Sequence, residues 1–323
     1  MALPYAGRGA SVGIGEEVTW GTPVAFTNWL RLTSATMTRD ITREVDPTMG
    51  TDAAVAHVEL GAVTFIASET AGLSIEFPFS YDDSTLMLLK HALGTVATTG
   101  AGPYVHTFTL ATPLPTGLTA EIITGTSAKS EDFEGGKIAS WEISGEAGKA
   151  LMCSFDLICE TSIARATKSS PTYSSAGLRA YHHQVGAISW NARTPKMVSF
   201  KISGDNGIDR RQLLGSSDTA EPSPENPIAI SCEITIEYDS VTGDNIYADY
   251  IAQTAADLAF TVTGTTNNAV TFTIHNAIIT SHSMPVSSRG KLTQTLTYTG
   301  YGDGTDHGVK IAITNDNASA LTN

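Results

Sequence analysis

Two short motifs in this chain carry residue types that could bind a metal ion. The stretch 300–306, Gly-Tyr-Gly-Asp-Gly-Thr-Asp, offers aspartates and backbone oxygens, which are ligands that Ca²⁺ prefers. Its spacing is not that of a known calcium loop, so a tight turn is the favoured interpretation. The adjacent His182 and His183 are metal-ligand types, but neighbouring side chains of a strand point to opposite faces and rarely chelate one ion. We therefore predict no metal site.

Motifs for catalysis or cofactor binding are equally weak. The segment Gly13-Ile14-Gly15 lacks the third glycine and the βαβ setting of a dinucleotide site. The sequence contains no Gly-x-Ser-x-Gly elbow, and no Ser, His and Asp are placed as a triad. Two pairs of adjacent carboxylates occur, Glu16-Glu17 and Asp82-Asp83, and the second pair is expected to complement a helix N-terminus. We predict that the chain is not an enzyme and uses no cofactor.

The elements that would position such residues are repeated along the chain. Residues 73–82 read Leu-Ser-Ile-Glu-Phe-Pro-Phe-Ser-Tyr-Asp, and residues 230–239 read Ile-Ser-Cys-Glu-Ile-Thr-Ile-Glu-Tyr-Asp. Apolar and polar residues alternate in the same register, which predicts a strand with one buried face. A stretch with helical periodicity follows each run, at 84–93 and at 245–252. A repeat of this length indicates two copies of one fold.

Period-two alternation and β-branched content predict strands in both halves. They lie at about 29–41, 58–67, 71–81, 104–110, 119–125, 137–145, 149–160, 197–203, 228–238, 258–264, 269–275, 277–284 and 291–299. Long loops recur at about 42–57 and 209–227, and loops of this length in a compact β domain are usually functional or disordered. The sequence predicts a mainly-β protein built from two tandem β-sandwich or open-barrel domains, each with one short α-helix.

The expected domain organisation has four parts. Residues 1–28 are predicted to be an irregular N-terminal arm, because glycines and Pro23 break any regular pattern there. The first domain spans 29–160, a Ser-, Thr- and Ala-rich linker spans 161–180, and the second domain spans 181–323.

Composition limits the function. The net charge is -14, from 19 basic and 33 acidic residues, which argues against a protein that grips nucleic acid by its phosphates. Acidity is compatible with a surface past which DNA slides, and equally with a charge that only keeps the protein soluble. Three cysteines without close pairs fit a reducing compartment. The N-terminus does not resemble a signal peptide, and no apolar stretch approaches the roughly 20 residues of a spanning helix, so we expect synthesis in a cytoplasm and no membrane insertion.

At residues 13–24, Gly-Ile-Gly-Glu-Glu-Val-Thr-Trp-Gly-Thr-Pro-Val, the chain resembles the opening of many tail tube (major tail) proteins of long-tailed bacteriophages. The acidic strand ending in Tyr-Asp before one short helix, and the long loop after the first strand, are similar to that family's core unit. The second copy departs from this pattern, because Gly186-Ala187-Ile188-Ser189-Trp190 stands where the opening would be.

The resemblance implies a structural virion protein of the phage tail that assembles in the host cytoplasm. Tail tube proteins stack as rings around a channel for double-stranded DNA, and a chain with two tube domains would form a homotrimeric, pseudo-hexameric ring. The implied partners are further copies of the chain, the tape measure protein in the lumen during assembly, and the tail-tip and tail-terminator proteins. The acidic residues expected to face the lumen are Glu76, Glu233 and Glu237. The residues expected in ring-stacking loops are Asp46, Pro47, Thr48, Met49, Pro222 and Pro224.

A different binding module is the alternative. A carbohydrate-binding or adhesin-type β-sandwich on a virion or cell surface would present aromatic residues on one sheet. The tryptophans that could form such a platform are scattered in the sequence at Trp20, Trp29, Trp141 and Trp190. An outward-facing sheet would also explain the glutamates, which would then only aid solubility.

Overall fold

The computed structural model describes residues 9–45, 64–124, 129–173, 179–238, 242–265, 267–286, 291–302 and 307–318. The strands of the first half are β1 (Ser11–Glu16), β2 (Asn28–Arg31), β3 (Ser34–Val45), β4 (Thr64–Pro78), β5 (Gly94–Thr99), β6 (Tyr104–Leu110), β7 (Leu118–Ile123), β8 (Ser130–Glu146), β9 (Met152–Cys159) and β10 (Thr161–Arg165). Those of the second half are β11 (Ser189–Trp190), β12 (Met197–Asp205), β13 (Ala229–Glu237), β14 (Ala256–Thr263), β15 (Ala269–Ser283), β16 (Thr293–Thr299) and β17 (Val309–Asn315). The helices are α1 (Asp83–Leu93) and α2 (Thr242–Ile251).

One continuous antiparallel sheet, here called the long sheet, runs through both halves of the chain. Its strand order is β3-β4-β9-β8-β12-β13-β16-β15. The halves meet in its middle, where β8 pairs with β12 from Ser199↔Glu146 to Asp205↔Ser140. The mainly-β prediction is confirmed, with one helix in each half.

Two smaller sheets form a second layer. The first outer sheet has the order β2-β1-β7-β8-β10. The second has the order β5-β6-β17-β15-β14-β11. The long strands β8 and β15 belong to both layers, and each contains a residue with positive φ at its bend, Gly135 (62°) and Asn276 (45°). Each half is therefore two layers joined by one bent strand.

The core lies between the layers. In β4, Leu73, Ile75 and Phe77 are buried while the residues between them are half-buried, as the alternation predicts. Phe77 stacks on Phe155 of β9 with ring centroids 5.8 Å apart, and Phe200 of β12 meets Phe260 of β14 at 4.8 Å. These aromatic side chains lie on the face of the long sheet that packs on the second layer.

Helix α1 begins and ends where its sequence signals indicate. Asp82 is the N-cap, and its carboxylate accepts a hydrogen bond from the Thr85 N–H at 3.2 Å. Gly94 ends the helix with φ of 109°, a conformation that favours glycine. The prediction that Asp82-Asp83 complements a helix N-terminus is confirmed.

Several strands were not predicted. Residues 1–28, expected to be irregular, contain β1, because Val12 and Ile14 are buried on one side of a strand that carries glycines on the other. Residues 161–180, expected to be a linker, open with β10. Strand β5, the first strand of the hairpin β5–β6, lies outside every predicted strand, and β17 was also not predicted. The runs 269–275 and 277–284, expected to be two strands, are the single bent strand β15. The domain boundaries themselves stay predictions.

The two halves repeat the same pairings. The pairs β3–β4, β4–β9, β8–β9, β7–β8 and β8–β10 recur as β12–β13, β13–β16, β15–β16, β14–β15 and β15–β17. The hairpin β5–β6 has no counterpart in the described part of the second half. It pairs with β17, so it ties the first half to the second.

Candidate assembly and channel surface

The polar face of the long sheet, opposite the outer sheets, carries the acidic residues. Directly paired residues of adjacent strands point to the same side of a sheet. Glu76 faces Ser154 of β9, and Ser154 faces Glu142 of β8, so both glutamates lie in one row across the sheet. Glu233 lies in the next row, opposite Lys201 of β12. The three glutamates expected to face the lumen therefore all lie on the polar side of the long sheet, since Glu237 is four residues along the same strand as Glu233.

Further carboxylates on this face were missed from sequence. They include Glu142, Asp156 and Asp205, together with Glu146 opposite Ser199 and Asp40 opposite Thr70. Asp156 pairs with Ser140, which in turn pairs with Asp205 and donates from Oγ to the Asp156 Oδ2 at 2.8 Å. The signal was present, because Glu142 stands between the buried Trp141 and Ile143.

Two lysines form ion pairs with glutamates of this face. The Lys201 Nζ lies 2.6 Å from the Glu142 Oε2, and the Lys291 Nζ lies 2.8 Å from the Glu237 Oε1. The hydrogen bond from Lys291 lowers the pKa of Glu237 and raises the pKa of Lys291. Because these side chains are exposed to water, both pairs contribute little to stability. Among the described residues on this face, Glu76, Asp156, Asp205 and Glu233 have no lysine or arginine ion pair, so the surface stays acidic.

The loop 209–227 packs partly on its own chain. The Glu69 N–H donates to the Ser217 carbonyl at 2.7 Å, and the Lys137 Nζ lies 2.6 Å from the Glu221 Oε1. Of the predicted stacking residues, Pro222 is buried and Pro224 is exposed. Asp46, Pro47, Thr48 and Met49 lie outside the described residues.

The opening segment is held by a buried carboxylate. The Glu17 side chain, in a residue only 2% exposed, accepts hydrogen bonds from the Gly21 N–H (2.9 Å), the Thr119 hydroxyl (2.8 Å) and the Gly135 N–H (2.9 Å). The Trp20 indole N–H donates to the Gly135 carbonyl at 2.9 Å. These contacts join the turn after β1 to β7 and to the bend of β8.

Two glycines of the opening segment are required by close packing. A Cβ on Gly13 would lie 2.7 Å from the Trp29 ring, inside van der Waals contact. Gly21 has φ of 72°, and a Cβ there would collide with the Glu160 carboxylate. The Gly-Ile-Gly and Trp-Gly pattern is thus explained by packing and backbone conformation.

Removing the Glu17 carboxylate should destabilise the fold. We expect Glu17→Ala to lower the free energy of unfolding by about 3 kcal/mol, because it leaves three donors unpaired in the interior. Glu17→Gln, which keeps one acceptor oxygen, should lose less. Chemical denaturation of dilute protein measures both values. A loss below about 1 kcal/mol for Glu17→Ala would contradict the anchoring role.

Glu16 makes a second anchor, to helix α1. The Glu16 Oε1 lies 3.5 Å from the His91 Nε2 and 2.6 Å from the Lys90 Nζ. The contacts with His91 and then Lys90 outweigh partial burial and lower the pKa of Glu16 to about 2. At 3.5 Å the histidine contact is long, so the lysine contact is the stronger bond. Burial lowers the pKa of His91, which is therefore neutral at pH 7.

The Glu16 contact should make stability depend on pH in the acid range. A carboxylate with a lowered pKa stabilises the fold fully above its ordinary pKa of 4.5, and this contribution is lost as the pH falls toward about 2. We expect the difference in unfolding free energy between wild type and Glu16→Gln to shrink between pH 5 and pH 2.5. A difference that stays constant over this range would show that Glu16 is not the titrating group.

The other candidate residues take structural positions. His182 and His183 lie in a 3₁₀ turn, His182–Gln184, and not in a strand as expected, with ring centroids 5.5 Å apart. Trp29, Trp141 and Trp190 are buried, and Trp20 is half-buried, so these four form no exposed aromatic platform. Residues 303–306 of the glycine-rich motif lie outside the described residues.

The three cysteines lie in the core. Cys153, Cys159 and Cys232 are free and buried, and burial raises the pKa of each thiol. Within the described ranges, neither helix is both long and apolar enough to cross a membrane.

Comparison with known proteins identifies a family for the chain. A family model described as "Phage tail tube protein" matches residues 7–300, a range from just before β1 to the end of β16. No match was found among curated proteins. The family is one of structural proteins of the phage tail. Since the match covers nearly the whole sequence, the chain belongs to the phage tail tube protein family.

Proposed function

We propose that three copies of this chain close into a ring, that rings stack into the tail tube, and that the acidic face of the long sheet lines the channel for DNA. The observation that carries the proposal is the long sheet itself. One face packs on the outer sheets. The other is polar, and the loop 209–227 covers only one end of it, where Arg210 lies against Gly72 and Glu221 pairs with Lys137. Both end strands, β3 and the C-terminal part of β15, have a free edge among the described residues. Joining such edges around a circle removes them.

The charge of the proposed lining suits DNA passage. Duplex DNA carries one negative charge about every 1.7 Å along its axis, so a basic wall would bind it at many points. The carboxylates of the long sheet repel phosphates and leave no strong binding site. Because Glu76 and Glu233 occupy the same position in the two repeats, a ring of three chains would present these carboxylates with approximate sixfold symmetry.

Ring stacking would use exposed loops at the ends of the sheets. Pro224 is exposed, and so are Leu213 and Leu214 at the outer part of the same loop. Burial of two leucines against an adjacent ring is favourable, at about 2 kcal/mol for each side chain. The first loop, with Asp46–Met49, occupies the same place in the repeat and is proposed for the same role.

The remaining partners follow from the tube. The tape measure protein would occupy the channel during assembly, and the tail-tip and tail-terminator proteins would cover the two end rings. These proposals are supported by membership of the family and by an assembly unit with open edges.

Electron microscopy of tails built from this protein tests the proposal. We expect stacked rings of three chains, with the face that carries Glu76 and Glu233 around a central channel. A tube whose channel is lined by the outer sheets, with the long sheet facing outward, would overturn the channel assignment. If this protein were absent from the tube of purified tails, the proposed function would be overturned.

A further inference from the structure

The two repeats of the chain pair with each other through β8 and β12. The residue pairs of this junction indicate which residues would pair between two chains. Glu76 and Glu233 are counterparts in the repeated sequence. Glu76 pairs with Ser34, and Glu233 pairs with Lys201, so Ser34 and Lys201 are counterparts in β3 and β12.

The same reasoning relates the strands on the other side of the junction. Glu76 faces Ser154, which pairs with Glu142 of β8. Glu233 faces Thr297, which pairs with Ser281 of β15. Glu142 and Ser281 are therefore counterparts, and two residues further along so are Ser144 and Ser283.

Within the chain, β8 and β12 form a regular antiparallel ladder. Lys201 lies opposite Ser144, and Ser203 lies opposite Glu142. At its ends the Ala147 N–H donates to the Val198 carbonyl at 3.1 Å, and the Asn206 N–H donates to the Ala139 carbonyl at 2.8 Å. Even-numbered residues of β12 therefore direct their backbone groups toward β8.

The counterparts of these two strands are the ends of the long sheet. Phe200 and Ile202 of β12 are buried, whereas residues 34–40 of β3 are all exposed. On β15, Thr280, Ser281 and Ser283 are exposed. In the described residues β3 pairs only with β4, and this part of β15 pairs only with β16. β3 therefore lacks the neighbour that its counterpart β12 has in β8. The C-terminal part of β15 lacks the neighbour that its counterpart β8 has in β12.

Helix α2 shows the same difference in burial. Residues 84–93 of α1 are all buried, and the Asn206 side chain from the second half donates to the Ala92 carbonyl in its last turn at 3.0 Å. In α2, Tyr247 is 52% exposed and Ile251 is 65% exposed. Tyr250 stacks on His282 and Tyr247 meets the same ring edge-on, which puts a partly exposed aromatic patch beside the free edge of β15.

The counterpart of Asn206 is Arg39, a cation suited to the C-terminal end of a helix. Its guanidinium is partly exposed and lies 2.7 Å from the Glu69 carboxylate in the single chain. In an assembled pair of chains, Arg39 would reach the last turn of α2 of the next copy. Exposed apolar surface and a complementary charge thus occur together at the two ends of the sheet.

We infer that β3 of one copy pairs antiparallel with the C-terminal part of β15 of a second copy, in the register Ser34 opposite Ser283 and Thr36 opposite Ser281. This inference rests on the proposed function and specifies its subunit contact. The Lys201–Glu142 ion pair of the internal junction is replaced by Ser34 and Ser281, so the contact between chains depends on backbone hydrogen bonds and apolar burial.

Cysteine cross-linking tests this register. Ser34 and Ser283 would form a non-hydrogen-bonded pair, with Cα atoms about 4.5 Å apart, a distance that a disulfide can span. Within one chain the same residues lie at opposite ends of the long sheet, roughly 30 Å apart at about 4.8 Å per strand, so they cannot bridge. The variant is Ser34→Cys/Ser283→Cys, and the matched control is Ser34→Cys/Ser281→Cys, shifted by two residues.

Oxidised assemblies of the Ser34→Cys/Ser283→Cys variant should give covalent dimers and trimers on a non-reducing gel, with at least tenfold more product than the shifted control. The native cysteines are buried and should add no product. Rings seen by electron microscopy without this excess would overturn the register and leave the proposed function standing. Absence of rings from wild type and variants alike, under conditions that assemble tails, would overturn both.

Discussion

Replacing Ala35 by proline is expected to give a folded chain that forms no rings. Ala35 is the counterpart of Ile202, one of the even-numbered residues of β12 that face β8. Its N–H therefore points to the free edge of β3. Proline at this position leaves the β3–β4 ladder intact but removes a donor that the inferred contact with the next chain requires. Sedimentation velocity should show monomers, and the melting temperature should change by less than about 4 °C.

The matched control is Ala35→Val, which keeps the N–H and favours a strand. It should assemble like wild type. Rings formed by Ala35→Pro would contradict the edge contact. An unfolded Ala35→Pro chain would also contradict it, because the Ala35 N–H would then belong to the ladder with β4.

Reversing the charge of the proposed channel lining is the second change with a large expected effect. In tails built from Glu76→Lys/Glu233→Lys, both counterpart positions become basic, and each lysine can contact a phosphate. We expect complete tails but a loss of infectivity of about 100-fold or more, because DNA would bind to the wall during ejection. Triggered DNA release from purified particles, followed by dye fluorescence, measures the effect.

The dependence of DNA ejection on salt concentration tests whether lysine–phosphate contacts cause the defect. Raising the ionic strength weakens lysine–phosphate contacts, so it should restore ejection from the lysine variant. Glu76→Gln/Glu233→Gln removes the charge without adding a phosphate contact and should eject at nearly the wild-type rate. Normal ejection by the lysine variant at low salt would show that these positions do not line the channel.

The sequence predicted the repeated part of the fold because both copies show the same alternation. Leu73, Ile75 and Phe77 gave the buried face of β4, and the capping residues around 82–94 gave α1. The glutamates between apolar residues were correctly placed on the opposite side of the sheet.

The missed elements have physical reasons. β1 contains glycines because Trp29 and the Ala25 carbonyl pack against its backbone, and this contact cannot be recognised from local composition. β10 and β17 are edge or joining strands whose stability comes from β8, β15 and β6, which are distant in sequence. The long sheet is continuous because β8 of the first half pairs with β12 of the second half. This pairing is a tertiary contact between the two predicted domains, and the sequence pattern within each domain does not indicate it.

The hairpin β5–β6 has a consequence for the exterior of the tube. Among the described residues it occurs in the first repeat alone, and it extends the layer that would face away from the proposed channel. A particle made of three such chains would be nearly sixfold on its inner wall and threefold in its outer relief. A protein that binds the outside of the tail would find three equivalent ridges on each ring, and its own symmetry should be threefold.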